Sequence, residues 1–401
     1  MYINEKESID MLKEELIQQD AKQLQEQLVS WRRTLHQIPE RGIELPQTTK
    51  FICERLDEMN VSYELYEDIS CIVATIGNGG KCFMLRSDID ALPIEEETDL
   101  DFKSTNGRMH ACGHDLHGTI LLGAAHLLKK YENELKGTIK LLFQSGEETL
   151  QGATAMIERG FLENPKIDAG LAFHVNNLPL GVASTGKEAM SSVHGFYITL
   201  HGKGGHGSMP EACIDPINAA VQIYLAFQSL IAREVGGPEE AVLTVGQMCA
   251  GDSYNIIPVE AMMQGTLRTF RAEVKERLVK RMKEVVQGVA MTYRCVVEYK
   301  TLFECSSLIT DESVTKIVEN SMLKVVPELE VRHDGHWMGS EDFAEFSQRF
   351  PCAHFMIGAA PEDETKRFGL HDPRILFNEE VLWMAAGSYA QAAIDWLATN
   401  Q

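Results

Sequence analysis

A helix-length run followed closely by a short apolar run decides the fold class: residues 118–135 read GTILLGAAHLLKKYENEL, and residues 138–144 read TIKLLFQ. The first has the length of a helix, and the second is a short, largely apolar run typical of a buried strand. Similar apolar runs, with helical segments between them, flank this pair: CIVATIG at 71–77, CFMLR at 82–86, AGLAFHV at 169–175 and AHFMIGAA at 353–360. Such alternation predicts an α/β sheet covered by helices.

The pattern changes near residue 188. From there to residue 301, four strands and two helices follow one another in the order β-α-β-β-α-β. That order is typical of a ferredoxin-like unit. We therefore predict one α/β domain formed by residues 1–187 and 302–401, interrupted by a small α+β domain at 188–301.

Charge and hydropathy exclude several classes of partner. The 401-residue chain carries a net charge of -22, whereas a nucleic acid or an anionic membrane would require a basic face. It contains no apolar run of about 18 residues, the length that spans a bilayer. The charged start of the sequence has no apolar signal-peptide core, which predicts a cytoplasmic protein.

The nine cysteines are odd in number and scattered, and none form a CxxC pair. This spacing argues against a disulfide framework and against a zinc ribbon. A reducing compartment is the expected location.

Side chains that bind metals recur where the predicted strands end. In open α/β sheets, ligands bind at the carboxyl ends of the strands, so segments far apart in sequence can meet there. The candidates are Asp88 and Asp90 after 82–86, Glu147 and Glu148 after 138–144, His174 at the end of 169–175, His371 beyond 353–360, and Cys112 and His114 before the 118–135 helix.

These residue types suit divalent metal ions. Imidazole, thiolate and carboxylate bind zinc-like or manganese-like ions, and a thiolate or carboxylate can bridge two of them. Of the adjacent Glu147 and Glu148, one could bind metal while the other takes a proton from the attacking water. Two alternatives remain open at this point: Cys112 as a nucleophile activated by His114, and a binding protein without catalysis.

Six motifs follow one another along the chain: RSDIDALPIEE (86–96), MHACGHDLHGT (109–119), FQSGEET (143–149), HGKGGHGSMP (201–210), GSEDF (339–343) and LHDPRILFNEEVL (370–382). In this order they resemble the M20 metallopeptidases, and the nearest branch is the amidohydrolases of the hippurate hydrolase and indoleacetyl-amino-acid hydrolase type. The resemblance extends from Trp31 to the end of the chain.

The resemblance implies a metal-dependent exopeptidase-like α/β domain with a two-metal site. Cys112 would bridge the ions, His114 and His174 would complete one, and Glu148 and His371 the other. Glu147 would be the general base, and Asp90 would orient a ligand histidine. Manganese or zinc is the expected metal, with cobalt and nickel as alternatives. Asp115 and His117 are expected to cap the following helix or to support the site.

The resemblance also gives the inserted domain a role. It would form a homodimer or a dimer-based tetramer, in which His206 reaches the partner's site to stabilise the oxyanion. Asn255 and Arg268 match positions that hold the substrate's carboxylate.

The function implied is hydrolysis of the amide bond of an N-acyl amino acid, a small-molecule substrate of the hippurate type. N-acetyl-diaminopimelate and dipeptides are further substrates compatible with the motifs. The cysteine nucleophile and a non-catalytic protein on a degenerate fold are the alternatives. The intact Glu147 argues against the second, because binding alone needs no base.

Overall fold

The computed structural model describes residues 16–401. The helical spacing of Met11, Leu12, Leu16, Leu24 and Leu28 predicts an N-terminal helix, and Met11 and Leu12 lie outside the described residues. The chain forms two compact units. Of the described residues, the large unit contains those up to Ala189 together with Ile309–His336 and Glu345–Gln401. The small unit contains Met190–Leu308 and Trp337–Ala344.

The elements follow in chain order. Up to the small unit they are α1 (16–23), α2 (Gln25–His36), α3 (Pro46–Glu58), β1 (Ser62–Tyr66), β2 (Cys71–Gly77), β3 (Lys81–Asp88), α4 (His114–Lys130), β4 (Gly137–Gln144), α5 (Gly152–Glu158), β5 (Ala169–Asn176), β6 (Val182–Ser184) and β7 (Glu188–Met190). Next come β8 (Ser192–His201), β9 (Gly205–His206), α6 (Pro216–Glu234), β10 (Ala241–Ala250), β11 (Ile256–Ile257), β12 (Glu260–Thr269), α7 (Ala272–Thr292), β13 (Val296–Cys305) and β14 (Leu308–Ile309). The last are α8 (Glu312–Val325), β15 (Glu330–Arg332), α9 (Ala344–Ser347), β16 (Cys352–Gly358) and α10 (Val381–Thr399).

The large unit is built on an eight-stranded sheet in the order β1-β2-β4-β3-β5-β16-β6-β15. Its centre, β4-β3-β5-β16, is parallel. Every residue of β4 and of β16 is buried, which is why these strands appear in the sequence as largely apolar runs. The predicted α/β fold class is confirmed.

The order of the strands places an opening beside β3. From β3 the chain continues through α4 to β4, which lies on one side of β3. On the other side of β3 lies β5, which is followed in the sheet by β16. Connections that leave in opposite directions create a crevice at the carboxyl ends of the strands. The switch point lies between β3 and β5.

Helix α4 starts at His114, four residues before the start suggested by the apolar run at 118. Gly113 precedes it with a φ of 86° and no side-chain cap. A Cβ at Gly113 would lie 2.2 Å from Val175 Cγ2, so both the backbone conformation and the space require glycine. The first turn of α4 is mostly polar, so the apolar run in the sequence begins only after the helix has started.

The small unit contains β8-α6-β10-β12-α7-β13, paired antiparallel in the order β10-β12-β8-β13. This is the predicted ferredoxin-like arrangement. Alternate residues Phe196, Ile198 and Leu200 of β8 are buried in a core shared with α6 and α7. In residues 16–401, no helix is both long and apolar enough to cross a bilayer.

Candidate metal centre

The carboxyl edge of the large sheet carries the predicted donors. Asp88 is the last residue of β3, and His174 lies near the end of β5. Glu147 and Glu148 follow β4. All four are buried or nearly so. Cys112 reaches the same edge from the segment before α4, and it is also buried.

Two imidazoles converge on the Cys112 sulfur. His174 Nε2 lies 3.6 Å from Sγ, and His371 Nε2 lies 3.3 Å from it. Nitrogen and sulfur ligands of one tetrahedral zinc ion, at bond lengths of about 2.05 and about 2.3 Å, stand about 3.6 Å apart. Both separations therefore suit a shared ion as well as a hydrogen bond.

The donors fall into two groups that share Cys112. Cys112, His114 and His174 form one, and Cys112, Glu148 and His371 form the other. Within each group the donor atoms lie within 4.8 Å of one another. The structure thus brings together the two ligand sets that the sequence resemblance implies.

Asp90 connects the two glutamates to His114. Its carboxylate accepts hydrogen bonds from the backbone N–H groups of Glu147 and Glu148, at 3.2 and 3.3 Å. Its Oδ1 also lies 3.3 Å from His114 Nδ1. Anchoring the far nitrogen of a ligand histidine with a carboxylate leaves Nε2 for a metal. His114 Nε2 lies 4.0 Å from Glu147 Oε2 and 3.9 Å from Glu148 Oε1.

His371 occupies an unusual backbone conformation, with a φ of 68°. Its N–H donates to the carbonyl of Ala111 at 2.9 Å, which ties the C-terminal loop to the cysteine segment. Left-handed conformations in residues other than glycine are uncommon and concentrate at functional sites. Its Nε2 also lies 3.5 Å from Glu148 Oε1.

The electrostatics of the cluster fit a cation. Burial raises the pKa of Glu148 to about 7, and it raises the pKa values of Asp90 and the Cys112 thiol as well. Neighbouring carboxylates add to the effect on Cys112. A cysteine nucleophile needs a lowered pKa. The raised pKa of Cys112 therefore disfavours the alternative in which Cys112 is a nucleophile. Divalent ions would neutralise the excess of buried acidic groups.

Two buried donor atoms support the same conclusion. His114 Nε2 and Glu148 Oε1 make no hydrogen bond to any of residues 16–401. Buried polar atoms are normally satisfied, and a metal ion would satisfy both. The donor set therefore fits a divalent metal.

Asp115 and His117 lie within α4, whose N-cap position is taken by Gly113, so neither is the N-cap residue. Asp115 Oδ2 accepts hydrogen bonds from Arg32 Nε at 2.7 Å and from His36 Nδ1 at 2.8 Å. His36 Nε2 in turn lies 3.1 Å from Glu96. This buried network connects the start of α4 to α2, and no motif or periodicity in the sequence predicted it.

The remaining predicted residues lie in the small unit. His206, on β9, accepts hydrogen bonds at Nδ1 from the Ser208 N–H and hydroxyl, at 3.1 and 2.8 Å. This leaves the proton on Nε2, where it can be donated. Asn255 directly precedes β11, which pairs with β9, and its carbonyl accepts from the Gly207 N–H.

Arg268, on β12, is a half-buried cation without a carboxylate partner among the described residues. Its Nη1 donates to the Met338 carbonyl at 2.9 Å and to Ser340 Oγ at 3.1 Å. Burial lowers the pKa of its guanidinium. An orientated, unpaired guanidinium is suited to bind an anionic group.

Comparison with known proteins identifies the family. The pattern of Peptidase family M20/M25/M40 matches residues 84–395. The chain is 35% identical over 383 residues to "IAA-amino acid hydrolase ILR1-like 4" of Arabidopsis thaliana, covering 92% of this chain and 86% of that protein. It is 35% identical over 390 residues to a hippurate hydrolase of Campylobacter jejuni, covering 93% and 97%.

A solved structure agrees. The YXEP protein of Bacillus subtilis, described as a dinuclear metal-binding peptidase from the M20 family, superposes with a TM-score of 0.80 at 32% identity. The match covers 94% of this chain and 99% of that one. The predicted resemblance is confirmed: the chain belongs to peptidase family M20/M25/M40, in its amidohydrolase branch, and is a metal-dependent hydrolase that acts on amides.

Proposed function

We propose that this protein uses two divalent metal ions to hydrolyse the amide bond of N-acyl amino acids. Cys112, His114 and His174 would hold one ion, and Cys112, Glu148 and His371 would hold the other. The observation that carries the proposal is the convergence of His174 Nε2 and His371 Nε2 on the Cys112 sulfur, at 3.6 and 3.3 Å. Manganese and zinc are the metals we expect.

The protein's own residues divide the work. Bound divalent ions supply Lewis acidity, which polarises a carbonyl and makes water more acidic. Glu147 takes the proton of the attacking water and returns it to the leaving amine nitrogen. In the proposed dimer, His206 of one copy donates from Nε2 to the oxyanion that develops in the site of the other copy. The Ser208 contacts at its Nδ1 favour the tautomer that this donation needs.

The substrate carries a free carboxylate in this proposal. Hippurate and the indoleacetyl-amino acids, on which the relatives act by name, are both amides of an amino acid. Arg268 offers a guanidinium without a carboxylate partner in the described part of the chain. We assign it, with Asn255, to the substrate's carboxylate.

Metal analysis and a substrate panel test this function. We expect about two ions per chain, and chelator-sensitive hydrolysis of N-acetyl, N-benzoyl and indoleacetyl amino acids, restored by Mn²⁺ or Zn²⁺. Matched methyl esters should be poor substrates, because they lack the charge for Arg268. Full activity in excess chelator would contradict the metal mechanism, and equal turnover of acid and ester would contradict the role of Arg268.

We propose that the small unit is the inserted dimerisation domain and that the protein is a homodimer or a dimer-based tetramer. Of the fifteen large, exposed hydrophobic residues among the described ones, all but Leu16 belong to this unit. Ile217, Val221, Tyr224 and Leu225 form an exposed stripe on α6, and apolar patches of this kind mark interfaces. Light scattering should give twice or four times the chain mass, and a monomer at micromolar concentration would contradict the proposal.

The cytoplasm is the proposed location, and a small molecule the expected partner rather than nucleic acid or membrane. None of the nine cysteines, all of which lie among the described residues, forms a disulfide bond, as is usual in a reducing compartment. The chain's net charge of -22 opposes binding to polyanions.

A further inference from the structure

Strands β3 and β5 separate before they reach the metal cluster. Their parallel pairing ends at Arg86 and Ala172, and side chains then take over the backbone hydrogen bonds of β5. The Phe173 N–H donates to the Tyr389 hydroxyl at 2.7 Å, and that hydroxyl donates to the Arg86 carbonyl at 2.7 Å. The Val175 N–H donates to His117 Nε2 at 2.8 Å.

These contacts fix the tautomer of His117. Because a backbone N–H can only donate, Nε2 must accept and the proton must lie on Nδ1. Nδ1 then donates to Asp88 Oδ1 at 2.5 Å, and Asp88 Oδ2 accepts from Arg86 Nη1 at 2.6 Å. All of these side chains are buried. His117 and Asp88 lie close enough to His114 to form a metal-binding group, but both nitrogens of His117 are already engaged.

Val175 connects this chain of hydrogen bonds to His174. Its N–H is held by His117, while its carbonyl accepts from His174 Nδ1 at 2.7 Å. That second bond turns His174 Nε2 towards Cys112. The His117 ring also packs edge-on against the His174 ring, with centroids 4.6 Å apart, and stacks on His114 at 5.3 Å.

We propose that His117 is a positioning residue: acting through Val175, it sets the orientation of the His174 ring, and Asp88 holds His117 in the tautomer required. The inference rests on the proposed function, because it assigns His174 to a metal. It explains why a histidine with no nitrogen available for metal lies between two histidines that have one. Outer hydrogen-bond partners of this kind typically change metal affinity by about 10- to 100-fold.

Three variants test the proposal. His117→Leu removes the acceptor for Val175, whereas His117→Gln keeps an acceptor near the position of Nε2. His126→Gln is the matched control, since His126 lies on the same helix and outside the cluster. Thermal unfolding of the stripped proteins checks that each variant folds before metal is added.

The readout is equilibrium metal binding without substrate. We expect His117→Leu to lower the affinity for one of the two ions by about 10- to 100-fold. It should also alter the visible spectrum of bound Co²⁺. His117→Gln should recover most of the affinity, and His126→Gln should match the unmodified chain. In a double-mutant cycle, His117→Leu should add little to His174→Ala, because it acts through His174.

Several outcomes would overturn the inference. Unchanged affinity for both ions in His117→Leu would do so, as would full additivity with His174→Ala. If His117→Gln lost an ion as completely as His174→Ala, His117 would itself be a ligand. An unmodified chain that binds no divalent ion would instead overturn the proposed function, and this inference with it.

Discussion

Replacing Glu147 with glutamine should lower turnover of N-acyl amino acids by about 10²- to 10⁴-fold, the usual contribution of a general base. Glutamine keeps the shape of the side chain but cannot take a proton. The backbone N–H of residue 147 can still donate to Asp90, so the loop should keep its conformation. Steady-state kinetics should show the loss in kcat, with thermal unfolding and metal content unchanged.

Glu148 provides the matched control, because it is the adjacent glutamate and its N–H donates to the same Asp90 carboxylate. Its Oε1 lies 3.5 Å from His371 Nε2, and with His371 and Cys112 it forms a group that could hold a metal ion. Glu148→Gln should therefore lose metal as well as turnover. The reverse pattern would exchange the two roles, and unchanged turnover in Glu147→Gln would refute the mechanism.

The sequence predicted the strands best where both faces are covered. Cys71–Gly77 was predicted to the residue, because a buried strand needs apolar side chains on both sides. Ser62–Tyr66 was missed: it is an edge strand without a buried residue, so its composition resembles that of a loop. Glu330–Arg332 is also at an edge and only three residues long.

The candidate site was predictable as a set of donors, but not as a geometry. Strand ends and motif order gave Cys112, Glu148 and His371 together. The left-handed backbone of His371 leaves no mark in the sequence, since such conformations normally favour glycine. The bond from Val175 to His117 could not be predicted either, because it depends on where β3 and β5 separate.

Cys112→Ala should weaken the binding of both ions, because it removes a ligand that they share. We expect a loss of at least about 100-fold in affinity, since losing only an outer hydrogen-bond partner of a ligand already costs up to about that much. Cys112→Asp should retain part of the bound metal and part of the turnover, since a carboxylate can also bridge two ions. It should shift the preference from Zn²⁺ towards Mn²⁺, because carboxylate oxygen suits manganese whereas thiolate suits zinc. Metal titration and kinetics with each ion measure both effects.

The aspartate variant separates the metal role of Cys112 from that of a nucleophile. If Cys112 attacked the substrate, Cys112→Asp would bind metal yet lose all turnover, and thiol alkylation would abolish activity even with metal bound. Cys249→Asp is the control, because Cys249 is the exposed cysteine and lies in the small unit. Its metal content and turnover should not change. The raised pKa of the buried Cys112 thiol, caused by burial and then by Glu148 and Glu147, makes it a poor nucleophile without a cation. We therefore expect residual activity in Cys112→Asp to follow the amount of metal bound.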